Sequence, residues 1–303
     1  MTRPVVVLAG GTGGAKLARG MLDVVGADEL VVIANTGDDV EIYGAYVAPD
    51  PDLITFWLGD LIDDRGWGLR GDTFQVMDGL RELGVEVWFN LGDRDLALGL
   101  ERRRALDAGD RLTAAHAKLA RALGVTTAVR PMSDQPVRTR VLAGGRWWPL
   151  QEFMIRRRGE GPVQDVELRG ARTAAVTPEV AEAIATARAI VIGPSNPMIS
   201  IGPILGTGQI RELLIASPAP KVAVSPLVRE KVLKGPTAAF MQWARQPLSS
   251  DGIAAIYAGV IDGLVADRRS HLIPTLETDV MLATPEQRRE VAERTLRYAL
   301  SLG

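Results

Sequence analysis

A glycine-rich segment near the start of the chain has residue types suited to binding an anion. It follows the apolar run of residues 5–9 and precedes a stretch with helical spacing of apolar side chains, so it lies between a predicted strand and a predicted helix. Glycine lets the backbone approach a phosphate closely, and a helix N-terminus presents free N–H groups to it. The alternative is a turn that only packing requires. We predict that phosphate or diphosphate is bound by Gly10, Gly11, Thr12, Gly13, Gly14 and Lys16.

The spacing of this segment fits neither common nucleotide-binding pattern. The dinucleotide fingerprint would have its third glycine at position 16, where this chain has Lys16. The P-loop has glycine immediately before its lysine, where this chain has Ala15. The segment therefore argues against both NAD binding and ATP hydrolysis.

Two adjacent acids follow the second predicted strand, Leu30–Ala34. Asp38 and Asp39 lie at the carboxyl edge of that strand, where ligands bind in open α/β folds. Neighbouring carboxylates repel each other unless a cation or donors lie between them, and Mg²⁺ accepts carboxylates together with substrate phosphate oxygens. The pair predicts a cation site. A contact to the ribose of NAD and a solvated turn are the alternatives.

Polar residues also follow later predicted strands. Ser195 and Asn196 come after Ala189–Ile192, at a position suited to binding a phosphate or a nucleotide base. Ser225 and Lys234 are placed in the same way. Because the carboxyl ends of parallel strands meet at one edge, we expect these segments to lie near the glycine-rich segment.

The composition excludes several kinds of chemistry. The 303-residue chain has no cysteine and only two histidines, so disulfides, thiolate nucleophiles and histidine zinc clusters are not expected. His116 lies in an alanine-rich helical stretch and is predicted to be an exposed surface residue. A net charge of -2 argues against nucleic-acid binding, and no run is apolar enough for a membrane span, so we expect a cytoplasmic protein that binds small molecules.

Alternation of strand and helix patterns predicts the fold. The expected fold class is α/β, with a Rossmann-like, doubly wound and mainly parallel sheet. Residues 1–46 and 125–303 would form the core, and residues 47–124 an inserted helical subdomain. Helices are predicted in the insertion at residues 53–62, 73–83, 95–108 and 113–123, with a short strand at 85–89.

Later patterns predict smaller features of the core. Residues 137–142, 147–155 and 163–168 would form a small antiparallel patch around a turn at 143–146. Thr177 and Thr284, each followed by proline, are predicted N-caps, and Thr284 with Gln287 has the spacing of a capping box.

Taken in order, these segments resemble the 2-phospho-L-lactate transferase family. The resemblance extends from residue 5 to about residue 285, and it rests on the combination of short motifs rather than on any single one. The matching stretches are residues 10–17, 35–39, 49–52, 65–68, 91–95, 131–134 and 193–197.

The resemblance implies a function and a set of site residues. It implies Mg²⁺-dependent transfer of a phospho-carboxylic acid from a guanosine diphosphate donor to Fo, the 7,8-didemethyl-8-hydroxy-5-deazariboflavin acceptor, with release of GMP, by a homodimer. The acid could be phospholactate, phosphoenolpyruvate or phosphoglycerate. Asp52 would contact the acceptor. Asn90, at a position that is basic in some members of the family, would lie in the same acceptor site, and Trp67 would stack on the planar ring of Fo. The hypothesis that follows gives Mg²⁺ and the catalytic role to Asp38, Asp39 and Asp52, and donor binding to the glycine-rich segment, Ser195 and Asn196.

Two other functions are compatible with parts of the sequence. A related family of nucleotide-sugar-binding regulators shares the glycine-rich start and the acidic pair, but it would not need the insertion motifs around Trp67 and Asp93. An NAD-dependent oxidoreductase is disfavoured by the broken glycine fingerprint.

Overall fold

The structure is a computed structural model that describes residues 3–229, 231–233 and 235–303. Its centre is a seven-stranded sheet in the order β14-β13-β10-β9-β1-β2-β5, and every neighbouring pair in it is parallel. The fold class is therefore confirmed, with a sheet that is parallel throughout. The strands of this sheet are β1 (Val5–Ala9), β2 (Leu30–Ala34), β5 (Ala128–Pro131), β9 (Ala189–Ile192), β10 (Lys221–Val224), β13 (Gly263–Ala266) and β14 (Thr275–Glu277).

Helices and short strands connect these strands. The helices are α1 (Gly11–Val25), α2 (Pro49–Leu58), α3 (Gln75–Glu82), α4 (Asp93–Asp107), α5 (Leu112–Ala122), α6 (Leu150–Ile155), α7 (Pro178–Thr186), α8 (Gly202–Gly206), α9 (Ile210–Ala216), α10 (Thr237–Trp243), α11 (Ser250–Ile256) and α12 (Pro285–Leu300), with a 3-10 turn at Ala27–Glu29 and a π-helical turn at Pro197–Ile201. The remaining strands are β3 (Val40–Ile42), β4 (Ala45–Val47), β6 (Arg138–Ala143), β7 (Arg146–Pro149), β8 (Asp165–Arg169), β11 (Leu227–Val228) and β12 (Lys231–Val232).

The topology places a crevice beside β1. From β1 the chain first builds the sheet outward through β2 and β5, and then returns to add β9 on the other side of β1. In open α/β sheets ligands bind at the carboxyl ends of the strands where the direction of winding changes. That point lies between the segments that follow β1 and β9.

Helices bury both faces of the sheet. Leu17 of α1, Ile54 of α2 and Leu296 of α12 pack on one face. Ile184 of α7 and Ile253 of α11 belong to the core on the other face. The strand residues that they cover are almost entirely apolar, as expected when a parallel strand is buried on both faces. Helix α2 thus packs on the main sheet although it lies within the predicted insertion.

The local predictions are mostly confirmed. Helices α2 to α5 occupy the four predicted helical stretches with shifted ends, and β6, β7 and β8 form the antiparallel patch. The hydroxyls of Thr177 and Thr284 cap α7 and α12, and the capping box at Thr284 is complete.

Two strand assignments are wrong. Residues 85–89 form no strand. Val87 and Phe89 instead pack with their side chains against the apolar residues of the β3–β4 hairpin. Residues 150–155, predicted as strand, form α6, and Leu150 and Phe153 turn into a separate apolar cluster. No helix of the described chain is both long and apolar enough to cross a bilayer.

Candidate active site

The glycine-rich segment forms the first turn of α1, which begins at Gly11. The backbone N–H of Gly11 donates to Oδ1 of Asp50 at 2.6 Å. The N–H of Gly14 donates to the hydroxyl of Ser195 at 3.0 Å, and that hydroxyl in turn donates to the carbonyl of Gly10. The predicted glycine and serine segments are therefore joined at the crevice beside β1.

Close packing explains part of the glycine content. A Cβ on Gly13 would lie 2.0 Å from the carbonyl oxygen of Pro194, and one on Gly14 would lie 2.7 Å from Oγ of Ser195. Gly11 has φ +60°, in the left-handed region that side chains disfavour. Packing against the β9 segment thus requires glycine at positions 13 and 14, whether or not an anion is bound.

Two carboxylates, the half-buried Asp38 and the buried Asp50, share one donor at this edge. Nδ2 of Asn35 donates to Oδ1 of Asp38 at 2.8 Å and to Oδ2 of Asp50 at 2.8 Å. Burial, followed by the charge of Asp50, raises the pKa of Asp38 well above its usual value. Burial raises the pKa of Asp50 to about 6, although hydrogen bonds from Asn35 and Gly11 oppose the shift. The negative charge here is therefore incompletely compensated by the protein.

Asp39 turns toward different partners. Its Oδ2 accepts a hydrogen bond from the hydroxyl of Tyr46 at 2.9 Å, and Arg138 donates to that hydroxyl at 3.3 Å. Oδ1 of Asp39 is buried and has no hydrogen-bond partner in the described chain. Burial raises the pKa of Asp39 to about 8, with Arg138 as the largest opposing influence.

Asp52 lies in a buried network that adjoins Asp39, because its partner Arg102 donates to the carbonyl of Tyr46. Its Oδ1 forms an ion pair with Arg102 of α4, a residue with 0% exposure, and Nδ1 of His116 is 3.8 Å away. His116 is 1% exposed, so the prediction of a surface histidine is wrong. Thr55 donates its hydroxyl proton to a backbone carbonyl, so the imidazole Nε2, 3.1 Å from Thr55 Oγ1, is the donor. Burial, followed by the charge of Arg102, lowers the pKa of His116 to about 3.

Asp38, Asp39 and Asp52 have different hydrogen-bond partners, although the charge of Asp39 acts on Asp38 and that of Asp52 acts on Asp39. Across the described ranges, no group of three or more His, Cys, Asp or Glu side chains could share a metal ion. Mg²⁺ in phosphate-transfer sites needs only one or two carboxylates, because water and substrate phosphates complete its shell. Asp38 and Asp50 fit that requirement, since their oxygens converge on one amide group.

The other predicted contact residues have partners within the protein. The side chain of Asn196 accepts from the N–H groups of Met198 and Ile199 and caps the π-helical turn. Nζ of Lys16 is 5.5 Å from the ring centroid of Trp57.

The insertion residues of the predicted acceptor site are Trp67 and Asn90. Trp67 is 41% exposed and lies under the guanidinium of Arg65, which is 4.4 Å from its ring centroid. Asn90 accepts from Arg81 at 2.7 Å. Lys234 lies outside the described residues.

A cleft of about 620 Å³ opens beside the Asp38 loop. Its walls come from that loop, from Trp88 of the insertion, from the start of α6 and from the small sheet, which contributes Arg138, Arg140 and Arg169. A volume of this size accommodates a small-molecule substrate. The hydrogen bond from the N–H of Thr139 to the carbonyl of Gly37, 2.8 Å, fixes β6 against the loop.

Sequence reasoning missed Asn35, Asp50 and Arg138 as site residues. Asn35 and Asp50 belong to two of the matching motifs. Asn35 also follows a predicted strand directly, and this placement at the sheet edge is a signal for a site residue. Arg138 had no such signal, because its place at the cleft depends on how the small sheet docks.

Comparison with known proteins gives a consistent result. The model of the family described as 2-phospho-L-lactate transferase CofD matches residues 5–293. A 2-phospho-L-lactate transferase from Methanosarcina mazei is 34% identical over 299 residues, covering 95% of this chain and 98% of the relative. A phosphoenolpyruvate transferase from Kitasatospora aureofaciens is 37% identical over 282 residues, covering 90% of this chain and 88% of the relative.

Solved structures of low sequence identity share the fold. A crystal structure of a UPF0052 family member from Bacillus halodurans has a TM-score of 0.56 and 18% identity, over 88% of this chain and 80% of that one. Another Bacillus halodurans crystal structure has a TM-score of 0.62 and 17% identity, over 98% and 100% of the two chains.

Proposed function

We propose, from the premise that the chain belongs to the 2-phospho-L-lactate transferase family and is a transferase, that it transfers a phospho-carboxylic acid from a guanosine diphosphate donor to Fo. A hydroxyl oxygen of the Fo side chain would attack the phosphorus that carries the acid. The anhydride bond to the second phosphorus would break, and GMP would leave. The product would be a phosphodiester between the acid and Fo, as in coenzyme F-420 biosynthesis.

The observation that carries this proposal is the arrangement of Asn35, Asp38 and Asp50 beside the N-terminus of α1. Phosphoryl transfer depends mainly on positioning and on neutralising charge, with little covalent work by the protein. Asp38 and Asp50 would hold Mg²⁺, whose charge would offset that of the diphosphate oxygens. The N–H groups at the start of α1 other than those of Gly11 and Gly14, which already have partners, would point toward the same phosphates.

The role of Asp39 also follows from its contacts. It is buried beside the Asp38 loop with one unpartnered oxygen, and its raised pKa suits a group that accepts a proton from an attacking hydroxyl. In this proposal Asp39 orients the Fo hydroxyl rather than binding the cation. The contact of Asp52 with Fo and the homodimer are expectations from the resemblance and remain part of the proposal.

The direct experiment measures GMP and the phosphodiester product by mass spectrometry. The protein is incubated with Fo, Mg²⁺ and one of three synthetic donors, namely lactyl-, enolpyruvyl- or glyceryl-diphosphoguanosine. We expect GMP and product in equal amounts with at least one donor, and neither when EDTA replaces Mg²⁺. Absence of GMP with all three donors would show that the proposed reaction is wrong.

A further inference from the structure

Two arginines of the small sheet face each other at the cleft. Arg138 of β6 and Arg169 of β8 are directly opposite in the antiparallel register, and both line the cleft. Like charges in directly opposite positions destabilise a sheet, because their Cβ atoms are only about 5 Å apart. An anion between them would remove that cost.

The third arginine of this wall has a direct acidic partner, whereas the charges of Asp39 and Glu41 act on Arg138 only from a greater distance. Arg140 pairs with Glu167, its own cross-strand partner, at 3.3 Å. Within the described residues, neither Arg138 nor Arg169 has a carboxylate oxygen within 4.0 Å. Arg138 donates only to the carbonyl of Val137 and the hydroxyl of Tyr46, so most of its N–H groups remain available.

The position of Arg138 relates it to the phosphate site. The next residue along β6, Thr139, donates its N–H to Gly37, and Gly37 precedes Asp38 directly. A guanidinium therefore lines the cleft beside the carboxylate that would hold the Mg²⁺–diphosphate complex. In each candidate donor the carboxylate of the acid lies only a few bonds from the phosphorus that is transferred.

We propose that Arg138 and Arg169 bind the carboxylate of the transferred acid and so select donors that carry one. This inference rests on the proposed function and adds the specificity-determining contact of the donor site. Arginine suits the role because its planar guanidinium forms paired hydrogen bonds with a carboxylate. The phosphate is held by the Asp38 side of the cleft, and the carboxylate by the small sheet.

The test compares each donor with its carboxamide analogue, in which a neutral amide replaces the carboxylate. For Arg138→Gln and Arg169→Gln we expect kcat/KM with the carboxylate donor to fall roughly 10- to 100-fold, mainly through KM. With the amide donor, wild type and Arg169→Gln should differ little, since the charge that the arginines recognise is gone. Arg138→Gln should lose some activity with both donors, because Arg138 also donates to Tyr46, the partner of Asp39, and its loss should be larger with the carboxylate donor. Inhibition by GDP and the KM for Fo should not change, and Arg138→Lys should recover part of the loss.

The matched control is Arg146→Gln, which removes an exposed arginine of the same small sheet that stacks on Trp148 outside the cleft. If Arg169→Gln lost equal activity with both donors, or behaved like the control, the inference would be overturned. Wild-type GMP release in the same assay would leave the proposed function intact. A wild type that releases no GMP overturns the proposed function and the inference with it. If Arg138→Gln does not fold, the exposed Arg169 carries the same test.

Discussion

The carboxylates of Asp38 and Asp50 are joined through one amide group, since Nδ2 of Asn35 is 2.8 Å from an oxygen of each. Asp38 accepts one N–H bond from this amide, and Asp50 accepts the other together with the N–H of Gly11, but neither carboxylate is paired with a cationic side chain in the described chain. Asn35 therefore keeps them close without neutralising them. A pair held in this way is poised for a cation, and the first two predictions follow from it.

Removal of the Asp50 charge should impair catalysis. Asp50→Asn keeps an oxygen that can accept from Gly11, but it loses the acceptor that faces Asn35 and the charge that would bind Mg²⁺. We expect kcat for GMP release to fall about 100-fold and the Mg²⁺ concentration at half-maximal rate to rise. The control is Asp64→Asn, at an exposed position of the insertion, which should retain full activity. Unchanged Mg²⁺ dependence in Asp50→Asn would exclude Asp50 as a ligand.

The same charge should make stability depend on pH and Mg²⁺. The folded-state pKa of Asp50, about 6, lies above its usual value of 3.8, so the folded protein binds this proton more tightly than the unfolded chain. The stability that Asp50 contributes is thus complete below about pH 4 and is lost as pH rises through about 6. Without Mg²⁺, the Tm of the wild type should fall relative to that of Asp50→Asn as the pH rises through this window.

Added Mg²⁺ should reverse that trend in the wild type. We expect it to raise Tm more at about pH 7.5 than at about pH 5, because a carboxylate binds the cation only when ionised. An equal rise at both pH values, or an equal rise in Asp50→Asn, would contradict the prediction.

The ion pair of Asp52 with Arg102 should matter chiefly for stability. Both side chains are buried, so Asp52→Asn leaves a guanidinium without its counter-charge. We expect the free energy of unfolding to drop by about 3–5 kcal/mol, measured in urea. The control Asp107→Asn removes an exposed partner of Arg103 and should cost less than about 1 kcal/mol. A raised KM for Fo in folded Asp52→Asn would support the acceptor contact inferred from the resemblance.

Glycine at position 13 should be indispensable for packing. Gly13→Ala would place a methyl group 2.0 Å from a backbone oxygen of Pro194, so α1 and the β9 segment would have to separate. We expect a Tm lower by several degrees and loss of GMP release. Gly79→Ala is the control, because a Cβ on that helical glycine would meet nothing within 4 Å and should add up to about 1 kcal/mol of stability. Equal stability of the two variants would show that the contact at Gly13 is unimportant.

The edge of the sheet could be predicted from sequence, but the direction of its side chains could not. Buried strands followed by glycine, asparagine or serine placed Gly10, Asn35 and Ser195 at one edge, because parallel strands end together. Asp50 and Asp52 stand two positions apart on α2, about 200° around the helix, so they face different surroundings. The docking of α4, which presents Arg102, gives Asp52 its partner, whereas Asp50 bonds to Gly11 and Asn35.

The same dependence on tertiary packing explains the other wrong predictions. His116 lies among alanines, which occur in both buried and exposed helices, so its burial depends on the packing of α5 against its neighbours. Residues 85–89 have the composition of a strand, but Val87 and Phe89 are held by side-chain packing and the segment pairs with no strand. The opposition of Arg138 and Arg169 depends on the register of two strands that are separated by a loop and a helix.

The position of β1 inside the sheet, between β2 and β9, has a consequence for biosynthesis. Its second neighbour, β9, comes more than half a chain later, and the hydrogen bond between Gly14 and Ser195 spans 181 positions. Most of the polypeptide must therefore emerge from the ribosome before β1 can pair with a strand on both sides. Until then the nascent chain has an unpaired, wholly apolar strand edge, which makes chaperone dependence and slow, high-contact-order folding the expected behaviour during synthesis.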